Sequence, residues 1–135
     1  MVYKKHIALE KANLSLIEEG LVLLQFKDKI DFEVNDAIEV DESIISLVEG
    51  KPFVILIDSR DIRSNMSHEA REFFATDKKI INIRKAQAIV VNNLPSRLIA
   101  KFYMTFHKPA NPIKIFSDYL QAEDWIKERK MEWCQ

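Results

Sequence analysis

The residues of this chain best equipped for chemistry gather behind one apolar run: Asp58, Arg60 and Arg63, then the hydroxyls Ser64 and Ser67, with His68 and Arg71 following. Ser67-His68 has the residue types of a nucleophile and its base. Neighbouring residues at a helix start point in different directions, however, and the glycine-flanked elbow that presents a catalytic serine is absent. Ser67 as an N-cap, with Glu69 in the first turn at the positive end of the helix dipole, accounts for the same letters. His6, His68 and His107 are scattered without paired-ligand spacing, and Cys134 is the single cysteine, so neither a metal site nor an internal disulfide is indicated. Gly20 and Gly50 are the only glycines, which rules out a phosphate-cradling loop or a dinucleotide fingerprint. With no nucleophile, base and orienter at recognisable spacing, the chain reads as non-enzymatic and without a cofactor.

Asp58 stands where the apolar run Phe53 to Ile57 ends. If that run is a parallel strand, Asp58 lies at the sheet's carboxyl edge, where α/β folds bind their ligands. Its carboxylate can accept backbone N–H groups of the next turn or pair with Arg60 or Arg63, and such loop-organising aspartates are common. A second candidate surface is LPSRLIAKFYMTFH, residues 94 to 107, which is unusually apolar for a surface helix. Leu98, Ile99, Phe102 and Phe106 make one stripe, while Tyr103 and Met104 remain at its side to cover a sheet edge or form a contact patch, a homodimer interface included.

The elements that position these residues follow from periodicity. Two β-favouring runs flank Glu18-Glu19-Gly20 over residues 14 to 26, a hairpin. A helix is expected from an Asp31 N-cap, with Val34, Ala37, Ile38, Ile44, Ile45 and Val48 on one face and Gly50 as its C′ residue. Phe53 to Ile57, Ala86 to Val91 and Ile113 to Phe116 are short, mostly apolar runs of the kind buried on both sheet faces. Helices are expected at about 67 to 81, near 94 to 107, and after an Asp118 cap, the last turning Leu120, Ala122, Trp125 and Ile126 inward. The order is β-β-α-β-α-β-α-β-α, a single α/β domain over residues 1 to 135 with a mixed sheet and right-handed crossovers.

Composition narrows the partners. The 20 Lys and Arg residues balance 21 Asp and Glu residues, so no overall field draws in nucleic acid or an anionic membrane. Residues 51 to 85 hold eight basic against five acidic residues, a solvated face or a modest anion-facing patch. No apolar stretch suggests a signal segment or membrane insertion, and the expected location is the cytoplasm.

Element order and the stretch after the third strand resemble the STAS fold of SpoIIAA type, the anti-sigma-factor antagonists. In that family the apolar strand ends in Asp, and a loop leads to an Asp-Ser-Ser triplet whose serine a partner kinase phosphorylates. Met66, Ser67 and His68 occupy the triplet positions here, so Ser67 alone matches it. The chain is also similar, over almost its whole length, to uncharacterised bacterial STAS-like proteins carrying Glu69, Ala70, Arg71, Phe73 and Phe74, then Ser96, Arg97, Lys108, Pro109 and Pro112, with Phe116 and Trp125 beyond. The resemblance implies a non-enzymatic signalling or protein-interaction module, with Asp58, Arg60, Arg63, Ser64, Ser67 and Arg71 as the interaction or phosphoacceptor loop facing an unidentified protein partner. The alternative is a binder of a small anionic or amphipathic ligand, held between Arg60 or Arg97 and the aromatic helix with Phe102, Tyr103 and Met104.

Overall fold

A computed structural model describes residues 5–62, 64–94, 97, 98, 101 and 111–133. Its strands are β1 (Lys5–Ala8), β2 (Ala12–Glu18), β3 (Leu21–Phe26), β4 (Asp31–Phe32), β5 (Phe53–Asp58), β6 (Asn65–Met66), β7 (Arg84–Val90) and β8 (Ile113–Phe116). Its helices are α1 (Val34–Val48), α2 (His68–Thr76), α3 (Lys78–Ile81) and α4 (Tyr119–Trp133). The main sheet runs β1-β2-β3-β5-β7-β8, antiparallel up to β3 and parallel from there on. The β2–β3 hairpin turns at Gly20, whose φ of 78° favours glycine. β1 was not expected; it adds an edge strand through the register Lys5↔Leu16 to Ala8↔Asn13.

β5 is the hinge of the core. Its odd residues, Phe53 and Ile55, pack with Val22 and Leu24 of β3 against α1 and α2. Its even residues, Val54 and Leu56, join Leu21, Leu23, Ala86, Ala88 and Val90 against Ala122 and Ile126 of α4. A strand apolar from Phe53 to Ile57 is what burial on both faces demands.

Several element boundaries differ from the sequence expectation. Asp31 does not cap α1: Asp31 and Phe32 form β4, which pairs in parallel with β6 in a two-stranded ribbon. The N-cap is Glu33, whose N–H donates to Asp36 Oδ2 at 2.9 Å, and Lys11 Nζ meets the same oxygen at 2.9 Å. At the other end Gly50 is the C′ residue as expected, at φ 70° with its N–H on the Ile45 carbonyl at 3.0 Å, and the C-cap Glu49 before it is left-handed too, φ 56°. The single helix expected over 67 to 81 is broken at Asp77, whose extended ψ of 102° ends α2 and whose carboxylate caps α3 through Lys79 N–H at 3.2 Å. Leu120 is 66% exposed, because the inward stripe of α4 passes through Ala122 and Ile126. Leu94, Arg97, Leu98 and Lys101 have helical backbone, but most of the helix expected at 94 to 107 lies outside the described residues, as do Ser96, Lys108, Pro109 and Cys134. Among the described residues no helix is long and apolar enough to cross a membrane.

Candidate functional site

The loop after β5 divides the candidate residues between two sides of the sheet edge. On one side, Asp58 takes Arg60 in a two-pronged ion pair, Nε to Oδ1 and Nη2 to Oδ2, both at 2.9 Å, and also accepts the Arg60 backbone N–H at 3.2 Å. The guanidinium then lies 4.7 Å from the ring centroid of Tyr119, the first residue of α4. Burial by itself raises the Asp58 carboxyl; the Arg60 hydrogen bonds and charge, with Gln25, outweigh it and hold the group below the ordinary carboxylate range. Asp61, at a left-handed φ of 59°, exchanges two 2.9 Å hydrogen bonds with the Asn92 side chain. This half of the loop is architecture: Asp58 and Arg60 are spent on each other, and Asp61 on Asn92.

On the other side, Ser64 Oγ donates to the Lys27 carbonyl at 2.8 Å and accepts Ile30 N–H at 3.1 Å, stitching the loop after β3 to the loop after β5. Asn65 N–H to Ile30 O and Ser67 N–H to Phe32 O continue the seam at 3.0 and 2.9 Å. Ser67 then caps α2, its hydroxyl accepting Ala70 N–H at 3.1 Å. The capping role read from the sequence is therefore what this hydroxyl does in the fold.

Beneath that seam, between the sheet and α1–α2, lies a cavity of about 210 Å³. Leu24, Ile55, Ile57 and Ile89 form its sheet wall, and Phe26, Phe32, Phe74 and Met66 its aromatic and thioether wall. The rings interlock, Phe26 edge-on to Phe32 at 5.2 Å and Phe32 stacked on Phe74 at 5.9 Å. Polar residues interrupt this lining: Ser59 and Ser64 of the loop after β5, Asn65 of β6, Arg71 from α2, Asp41 from α1, and Arg84 and Gln87 from β7. Arg84 donates to the Phe74 carbonyl at 3.4 Å. Arg71 sends its backbone N–H to Ser67 O at 3.1 Å, but its guanidinium has no partner among the described residues.

Asp41 is the chemically unusual member. Desolvation, then the neighbouring Asp77 carboxylate, push its carboxyl up to about 9 against the opposing pull of Arg84. It is accordingly a neutral acid at pH 7. The sequence reading missed it, although periodicity carried the signal: Ala37, Asp41, Ile44 and Val48 fall on one helical face. Gln87 was likewise absorbed into an apolar run.

Of the residues singled out by sequence, Ser64 and Arg71 line the cavity, while Asp58, Arg60 and Arg97 are not among its lining residues. The cations on the cavity are Arg71 and Arg84, in place of the Arg60 and Arg97 expected for a ligand site. Arg63, Phe102, Tyr103 and Met104 lie outside the described residues.

This architecture is a SpoIIAA-like fold. The fold superposes on the crystal structure of an uncharacterised protein of the DUF3478 family with a SpoIIAA-like fold from Shewanella loihica PV-4, with a TM-score of 0.64, 17% sequence identity, and coverage of 93% of this chain and 98% of that one. At that identity the likeness establishes the fold, the one the sequence resemblance implied. The chain itself belongs to the family described as Domain of unknown function (DUF7793), whose model matches residues 15–130. No curated protein matches it.

Proposed function

We propose that this domain is a non-enzymatic regulatory module of SpoIIAA type that responds to a small amphipathic anion held in the cavity between its sheet and α1–α2. The observation that carries the reading is the Arg71 guanidinium, without a partner among the described residues, on the wall of an otherwise largely apolar space. A few polar groups set in an apolar concavity are the usual make-up of a small-molecule site. An apolar cavity of about 150 Å³ takes benzene, so about 210 Å³ has room for a ring with a short acidic arm. Phenylacetate is a suitable probe. Titrated into labelled protein, it should shift amide resonances of lining residues such as Ile57, Met66 and Phe74, and Arg71→Leu should weaken binding about tenfold or more, the worth of a charge-assisted hydrogen bond. Shifts remote from these residues, or an unchanged affinity in the variant, would remove the basis for the proposal.

A second reading, contact with a protein partner, is favoured by how the seam is built. Ser64 and the Phe32–Ser67 bond hold the approach to α2 in one shape, and Ser67 is only half-buried at the helix N-terminus. A phosphate there would meet the α2 dipole, with Arg71 one turn further on.

A further inference from the structure

Two polar side chains on the cavity wall have unused hydrogen-bonding atoms. Asp41 is 2% exposed, and its Oδ2 has no hydrogen-bond partner among the described residues. Gln87 is 7% exposed; its backbone N–H is taken by Pro112 O at 2.9 Å, while its carboxamide has no partner among the described residues. Buried polar atoms in folded proteins are nearly always paired, so the unpartnered Asp41 Oδ2, on the same wall as the unengaged Gln87 carboxamide, indicates a partner that comes from outside the chain. What that partner must be follows from their chemistry. A carboxamide offers both N–H and C=O. Asp41, with Asp77 at the α2–α3 junction and Arg84 on β7 as its charged neighbours, is kept protonated and hydrogen-bonded to Asp77, so its open Oδ2 offers an acceptor. A group that donates and accepts at once fits both, giving its proton to Asp41 Oδ2 and accepting from the Gln87 carboxamide.

We propose that this wall is a recognition site for the uncharged hydroxyl or amide group of an aromatic ligand, with Asp41 and Gln87 as the residues that read it. The proposal rests on the cavity reading above and adds the end of the ligand that Arg71 does not hold. Phenol and toluene separate the two, since they differ by one hydroxyl, carry no charge and are small enough for about 210 Å³. In an apolar cavity toluene wins, being the more hydrophobic. Here phenol should bind the full-length protein about tenfold more tightly than toluene, because a site built around a hydroxyl rejects the analogue that lacks it. Gln87→Leu and Asp41→Leu should each abolish or reverse that preference; if one variant does not fold, the other carries the test. Toluene binding as well as phenol to the wild type, with shifts at lining residues, would overturn the polar wall and leave the cavity standing. A phenol preference that survives both variants would also overturn it. No shift at any lining residue with either compound would refute the cavity and the polar wall together.

Discussion

Replacing Asp41 by Asn should stabilise the protein, and by more as the pH rises. In the unfolded chain this carboxyl ionises near its ordinary value of 3.8, while in the fold it ionises at about 9. Below pH 4 both states hold the proton and the group is neutral to stability. Between pH 4 and 9 only the unfolded state releases it, so the folded state loses ground with each step in pH, and above 9 the loss is complete. At 1.36 kcal/mol for each pH interval, the cost is roughly 4 kcal/mol at pH 7 and approaches roughly 7 kcal/mol above pH 9. These are ceilings, because a native structure relaxes around a buried charge. Asn has nearly the same shape, never ionises, and its amide can still donate to Asp77. A gain of about 2 to 4 kcal/mol at pH 7 is therefore expected. Urea unfolding of both proteins at intervals from pH 4.5 to 9.5 measures it, with equal m-values as the check on two-state behaviour. The reasoning fails if the difference between the two proteins does not change with pH, or if the variant is the less stable at pH 8.

Asp58 carries the opposite sign. Its carboxyl is held below the ordinary range, so its pairing with Arg60 stabilises above that range and is lost as the pH falls through its folded value. With the Arg60 side chain 40% exposed, Asp58→Asn should cost about 1 to 2 kcal/mol at pH 7, and urea unfolding at pH 3 should show the gap closing. At Ser67, Asp is as good an N-cap as Ser, so Ser67→Asp should melt within about 0.5 kcal/mol of wild type while placing a charge where a phosphate would sit. A protein recovered from the native host by the wild-type chain should be lost by this variant; equal recovery would exclude this end of α2 as the contact.

What could be read from the letters was whatever local chemistry settles. Phe53 to Ile57 is apolar at each position, which leaves only a strand covered on both faces. Ser67 followed by Glu69 leaves little besides a helix start. The boundaries that shifted did so for tertiary reasons. Asp31 has the side chain of a cap, but its backbone finds partners in Asn65–Met66, thirty-four residues away. Lys5–Ala8 has no apolar pattern of its own and is a strand because β2 has a free edge for it. The cavity was the least legible feature. It depends on a gap between four elements, and no single segment encodes a gap. Its polar members were nonetheless visible as exceptions, an acid on the apolar stripe of α1 and an amide in an apolar strand. Exceptions to a burial pattern mark function more often than the pattern does.

The placement of the cavity bears on how such a domain would signal. Met66 lines it, and the next residue is Ser67, whose N–H is held by the carbonyl of Phe32, itself part of the cavity wall. The β4–β6 ribbon is two residues long on each side, so it has little stiffness apart from the rings beneath it. Arg71 lies one turn into the helix that Ser67 caps, which ties the ligand's charged end to the same segment. A ligand that pushes on Phe32 and Met66 while pulling on Arg71 therefore acts on the two ends of the α2 start at once. It shifts the surface around Ser67 only by as much as it prefers one arrangement of that ribbon over another. The two readings of this domain, ligand binder and partner-facing switch, thus meet in one mechanical element. A phenylacetate complex in which β4, β6 and the first turn of α2 keep the amide exchange rates of the free protein would part them.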